Sequence, residues 1–92
     1  MRGKLAVSLS GHDKQQVYVI IQEEDAFVYL ADGVLKSVAH PKKKNKKHIQ
    51  IIKQIPEELK ELLAEPFEDL RVKRAIKLYM KKQEENECQK QM

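Results

Sequence analysis

Ninety-two residues with a formal charge of +4 allow one small domain, or a minimal domain with an appendage, and only a modest core. The single cysteine, Cys88, excludes an internal disulfide and a multi-cysteine zinc site, and Glu84, Glu85 and Glu87 around it disfavour a reactive thiolate. No uninterrupted apolar run is long enough to span a bilayer, and no signal-type apolar segment follows Met1-Arg2-Gly3-Lys4, so a soluble cytoplasmic protein with no membrane partner is expected.

In chain order, Leu5–Leu9 alternates apolar and small residues and reads as a strand. Ser10-Gly11-His12-Asp13-Lys14 is a turn, with Gly11 the residue expected to need a positive φ. Gln16–Glu23 is a second strand with apolar residues on both faces, as a central strand requires. A polar turn leads into a third strand, Ala26–Ala31, rich in aromatic and β-branched residues. Asp32-Gly33 then signals a tight hairpin, with Val34–Val38 as the returning strand. Pro41 ends that pairing, and Ile49, Ile51 and Ile52 supply a short fifth strand. Pro56 changes the period. Glu57 and Glu58 suit a helix start, and Leu59, Leu62 and Leu63 make one apolar stripe, up to a break at Glu65-Pro66. A second helix is predicted over about Phe67–Gln83, with Val72, Ala75, Ile76, Tyr79 and Met80 on its apolar side and a frayed polar tail beyond Glu84. The expected class is mainly β with an α extension: a five-stranded, SH3-like small barrel over residues 1–55, then C-terminal helices over 56–92.

Charge is unevenly placed. Residues 1–55 hold ten Lys and Arg against five Asp and Glu, whereas residues 56–92 hold eight against nine. Most of the excess lies in His40-Pro41-Lys42-Lys43-Lys44-Asn45-Lys46-Lys47-His48, which reads as a loop between the fourth and fifth strands. No acid lies between Lys36 and Gln54, so nothing nearby in the chain cancels this charge. Fixed positive charge on a small rigid domain suits phosphate backbones, and Asn45, His40 and His48 add hydrogen-bonding and stacking groups. The plain alternative is a solvated, solubilising run.

Other candidates are weaker. Gly11-His12-Asp13-Lys14 either contacts a phosphate backbone through His12 and Lys14 or is a structural turn; neighbours in a tight turn rarely converge on one substrate, so a catalytic His–Asp pair is not expected. Tyr18, Phe27 and Tyr29 read as core or wall before they read as stacking platforms, and so few aromatics argue against a single-strand surface built on stacking. Arg74, Lys77 and Lys81 are either a second phosphate-backbone contact or an exposed face balanced by Glu68 and Asp69. No metal-ligand spacing appears, and neither a cofactor nor a catalytic residue is expected.

Leu5–Ile21, a strand, a Gly11-centred turn and a strand, resembles the KOW motif. Phe27-Val28-Tyr29-Leu30-Ala31-Asp32-Gly33, followed by Pro41 through Ile49, is similar to bacterial KOW-domain RNA-binding proteins. These are grouped with the archaeal and eukaryotic large-subunit ribosomal proteins fourteen-e, six-e and twenty-seven-e. The resemblance covers roughly residues 3–64. It implies an SH3-like KOW barrel with a helical extension, acting in a ribosomal context. The implied partners are structured RNA, above all large-subunit ribosomal RNA, and ribosomal proteins, with no small-molecule substrate. The RNA contacts would be Lys36, His40, Lys42, Lys43, Lys44, Asn45, Lys46, Lys47 and His48, helped by His12 and Lys14. KOW motifs usually carry a second glycine after the turn lysine; Gln15 stands there, which predicts a wider or differently shaped turn. The rival reading is a protein-interaction adaptor using the barrel or the helical tail, although a polyproline groove would need more aromatics. Non-specific duplex DNA binding is a further rival.

Overall fold

The structure, a computed structural model, describes residues 2–91, with side chains described through Glu84. Five strands form one antiparallel sheet: β1 (Leu5–Ser8), β2 (Val17–Glu23), β3 (Phe27–Ala31), β4 (Lys42–Asn45) and β5 (Ile49–Ile51), in the order β4-β3-β2-β1-β5. A 3₁₀ turn, Lys46–His48, joins β4 to β5. A second 3₁₀ turn, Glu57–Leu59, precedes the helix α1 (Asp69–Gln91). No helix among the described residues is long and apolar enough to cross a membrane.

Alternation along the strands sends side chains to two faces, and both are apolar. On one face Leu5, Val19, Ile21 and Ala31 are buried against Leu59, Leu63, Val72 and Ala75, so α1 and the segment before it cover that side. On the other, Ala6, Tyr18, Ile20, Val28, Leu30 and Ile49 are buried by one another. Among the described residues no helix residue belongs to this second cluster, which the strand residues bury among themselves. An irregularity in the β2–β3 register between Ile20 and Gln22 supplies local bending.

Three expectations are corrected. Val34–Val38 is not a strand; residues 32–41 form a loop, and the fourth strand is the lysine segment itself. Asp32 Oδ1 accepts the Val34 and Lys36 amides at 2.9 and 2.8 Å, closing a tight local turn. Further on, the Val38 amide donates to Asp69 Oδ1 at 2.7 Å, which draws the segment towards the start of α1 instead of along β3. The stretch after Pro56 buries its leucine stripe as expected, but as a 3₁₀ turn followed by further turns. Two prolines ten residues apart leave little room for a nucleated α-helix. α1 starts at Asp69 and continues to Gln91, past the expected end near Gln83.

The β1–β2 turn closes at Gln15 and Gln16. Gln15 has φ 72°, and its amide donates to Ser8 O (2.8 Å) while the Ser8 amide donates to Gln16 O (3.0 Å). Two residues thus face one, a bulge whose first position normally carries glycine in the left-handed region. A non-glycine residue there costs about 1–2 kcal/mol, and glycine gives back about 0.5–1 kcal/mol through a more flexible unfolded chain. Gln15→Gly should therefore raise stability by about 0.5–1 kcal/mol. A urea midpoint that stays put or falls would count against this account of the turn.

Candidate nucleic-acid interface

The lysine run is an edge strand. Lysine and asparagine are poor strand formers, but β3 offers Phe27, Val28 and Tyr29 as a template, and tertiary pairing overrides the local preference. Lysines on an edge also discourage pairing with a second chain. Because β4 is extended, its side chains divide between two faces. Lys42 and Lys44 lie opposite Leu30 and Val28, on the inner face; Lys43 and Asn45 lie opposite Tyr29 and Phe27, on the outer face.

The inner lysines end on Asp13. Lys42 Nζ lies 2.6 Å from Asp13 Oδ2 and Lys44 Nζ 2.8 Å from Oδ1. Lys44 also donates to Ser8 Oγ (2.6 Å) and to the Ser10 carbonyl (2.8 Å). Ser8 Oγ and Tyr18 OH donate to the same carboxylate at 2.9 and 3.2 Å. Lys44 and Asp13 each keep only 10% of their side-chain exposure, so this ion pair is largely removed from water. Burial by itself would raise the Asp13 pKa, but the hydrogen bonds from Lys42, Lys44 and Ser8 outweigh it and hold the carboxyl well below its ordinary range. The Tyr18 hydroxyl moves the other way, pushed up to about 12 by burial and by the Asp13 charge beside it. β4 and β5, the two edges, share no backbone pairing, and this network links β4 to the β1–β2 turn from the inner side.

The expectation that nothing cancels the lysine charge is therefore corrected. No acid is near in sequence, but Asp13 takes Lys42 and Lys44, and Glu23 takes Lys46 at 2.8 Å. Asn45 is also engaged: its side-chain oxygen accepts the Lys47 amide at 3.0 Å and caps the Lys46–His48 turn. Lys43 and Lys47 are exposed and form no ion pair among the described residues, as is true of Lys14 and Lys36. Lys43 Nζ sits 4.5 Å from the Phe27 ring centre and 5.9 Å from that of Tyr29, a cation held over an aromatic pair.

The β1–β2 turn meets the lysine strand at both ends. Asp13 reaches Lys42 and Lys44, and the Leu9 amide donates to the His48 carbonyl at 2.8 Å. His12, Lys14, Lys47 and His48 are exposed on these adjoining segments. His12 and Asp13 diverge, one exposed and one buried, so they do not act as a pair. Lys36 and His40 are exposed on the loop leading into β4. Arg74, Lys77 and Lys81 are exposed on α1, which covers the opposite sheet face from the Asp13 cluster. Among the described residues no group of three His, Cys, Asp or Glu side chains could hold a metal ion.

Sequence reasoning missed Ser8 and Glu23, and it weighed Phe27 and Tyr29 without their cation. One signal was available: Lys-Lys-Lys-Asn next to a strongly β-forming segment is also the composition of a protected edge strand. Compared with known proteins, the chain matches no family model and no curated protein.

Proposed function

We propose that this chain is an SH3-like KOW barrel that binds structured RNA, with large-subunit ribosomal RNA as its target and ribosomal proteins as neighbours. The barrel reading is supported by the β4-β3-β2-β1-β5 order and by an inner cluster made of strand residues alone. The RNA reading rests on one observation above the rest. Lys43 and Lys47 project as uncompensated cations from the edge strand and the turn after it, with Lys43 presented on the Phe27–Tyr29 rings. Lys14, Lys36, His12, His40 and His48 extend that surface. Lys42, Lys44 and Lys46 serve it indirectly, by fixing β4 and the turn through Asp13 and Glu23.

Division of labour within the run changes the expected salt dependence. Four available lysines (Lys14, Lys36, Lys43, Lys47) correspond to a slope of roughly −3 to −4 in log K against log salt. Lys43→Gln combined with Lys47→Gln should reduce the slope by about 2 and weaken ribosomal RNA binding without lowering the urea midpoint. Unchanged affinity with an unchanged slope in the double variant would remove β4 from the interface. Equal affinity for random duplex DNA at physiological salt would favour general polyanion binding.

A protein-interaction adaptor is the second reading, favoured by apolar residues left in solvent around the start of α1. Leu35 is 84% exposed, Leu70 71% and Val34 64%. Cross-linking in cells that returns a protein partner at these three residues, with no RNA adduct at Lys43 or Lys47, would select it.

A further inference from the structure

A second cationic feature lies away from β4. The chain before β1, the segment leaving β5, the turns after Pro56 and α1 enclose a cleft of about 840 Å³. Arg2, Lys4, Lys53, Lys60 and Lys82 line it, and no acidic residue among those described does. Three of the five have carboxylates near the rim: Arg2 with Glu65 at 2.6 Å, Lys60 with Glu57 at 3.1 Å, and Lys82 with Glu58. Lys4 and Lys53 form no ion pair among the described residues, so the cleft keeps its positive excess.

The placement of those two lysines carries the argument. Ala6 lies opposite Ile51 in the β1–β5 pair, and the Ile52 amide donates to the Leu5 carbonyl at 2.9 Å. Lys4 and Lys53, the next residues outward, therefore leave neighbouring chain segments at this end of the sheet. Two like charges on neighbouring segments repel each other. An anion bridging the two ammonium groups turns that repulsion into attraction. The floor beneath them is fixed. Gly3 donates its amide to Ile20 O at 2.8 Å, has φ 80°, and passes so close to the Leu63 carbonyl that a Cβ would lie 2.7 Å from its oxygen. Arg2 and Lys4 therefore leave a backbone already held in place.

We infer that this cleft is a binding site for closely spaced phosphate groups. Two lysines without an ion pair, with further cations around them, suit a multiply charged, compact anion, whereas a lone carboxylate would leave one lysine uncompensated. The same chemistry has two sources, a free di- or triphosphate and neighbouring phosphates of an RNA backbone. The site does not depend on the β4 interface, because it lies at the Leu5 end of β1 and the Leu9–His48 junction lies at the other.

Amide chemical shifts of the full chain, followed while sodium pyrophosphate is added at constant ionic strength, test this. Saturable shifts are expected at Gly3, Lys4, Lys53 and Gln54. Binding should weaken at least tenfold in the Lys4→Gln, Lys53→Gln double variant and stay unchanged in the Lys43→Gln, Lys47→Gln variant. The first double variant should also show an equal or higher urea midpoint, because two like charges in one cleft are gone. Displacement of pyrophosphate by a single-stranded RNA oligonucleotide assigns the site to backbone phosphates; RNA binding that leaves pyrophosphate in place assigns it to the free anion. Shifts that do not saturate, that map to β4 instead, or that survive in the Lys4→Gln, Lys53→Gln variant overturn the site. A lower midpoint in that variant overturns the like-charge repulsion in the cleft on which it rests.

Discussion

Replacing Asp13 with Asn is expected to destabilise the fold by about 3–5 kcal/mol, the usual consequence of removing one member of a buried ion pair. Asp13 accepts from Lys42, Lys44, Ser8 and Tyr18 at once, and Lys44 is largely buried with it. Asn has nearly the same shape but leaves the Lys44 ammonium without a counter-charge. Small domains are stable by only about 5–15 kcal/mol, so the variant should be close to its folding limit. Urea unfolding measures this directly, and a loss below about 1 kcal/mol would show that the pair is inessential. Adding Lys44→Met should recover much of the loss, since it removes the stranded charge and keeps an apolar stem.

Asp13 and Tyr18 also set a pH window. The folded-state pKa of Asp13 lies well below its ordinary value of 3.8, so its contribution is complete above that value and is lost as pH falls towards the folded pKa. Tyr18 is the reverse: its pKa rises from 10.0 to about 12, so its contribution is complete below 10.0 and is lost as pH rises towards 12. Stability should thus fall at strongly acidic and at strongly alkaline pH. Asp13→Asn should flatten the acid limb, and Tyr18→Phe should reduce the alkaline one.

Gly33→Ala should produce the second large effect. Gly33 has φ 78°, where an alanine costs about 1–2 kcal/mol. The added methyl would also collide with the Asp69 carbonyl oxygen and lie 2.9 Å from the Lys73 amide nitrogen. These are backbone atoms of α1, so relief requires the helix to move off the sheet, an overpacking cost of about 1–3 kcal/mol more. Gly11→Ala is the internal control. Its φ of 84° is similar, but the nearest atom to an added Cβ is the Asp13 side chain at 3.4 Å, so only the conformational cost should appear. Equal losses in the two variants would show that α1 does not press on Gly33.

Strands β1, β2 and β3 were legible because their apolar residues recur with period two and their turns contain Gly11 or acidic clusters. The helix α1 was legible through Val72, Ala75 and Ile76, which lie on one side at helical spacing. The fourth strand was not. Val34–Val38 has the better strand composition, but Asp32 closes a local turn and Asp69 binds the Val38 amide. The candidate site was legible as a charge cluster and illegible as a surface, since identical lysines give no hint of which ones face inward.

Local composition and periodicity determined the mainly β class, the amphipathic final helix, the left-handed Gly11 and the place of the basic segment. Those features depend on neighbours within a few residues, and a linear pattern records them. Only the tertiary structure decided that Lys42 and Lys44 would be neutralised by a carboxylate 29 and 31 residues earlier, leaving Lys43 and Lys47 to face outward. The physical reason is the pleat. Once β3 recruits the run as an edge strand, successive lysines point to opposite faces, and pairing register selects which of them meet Asp13.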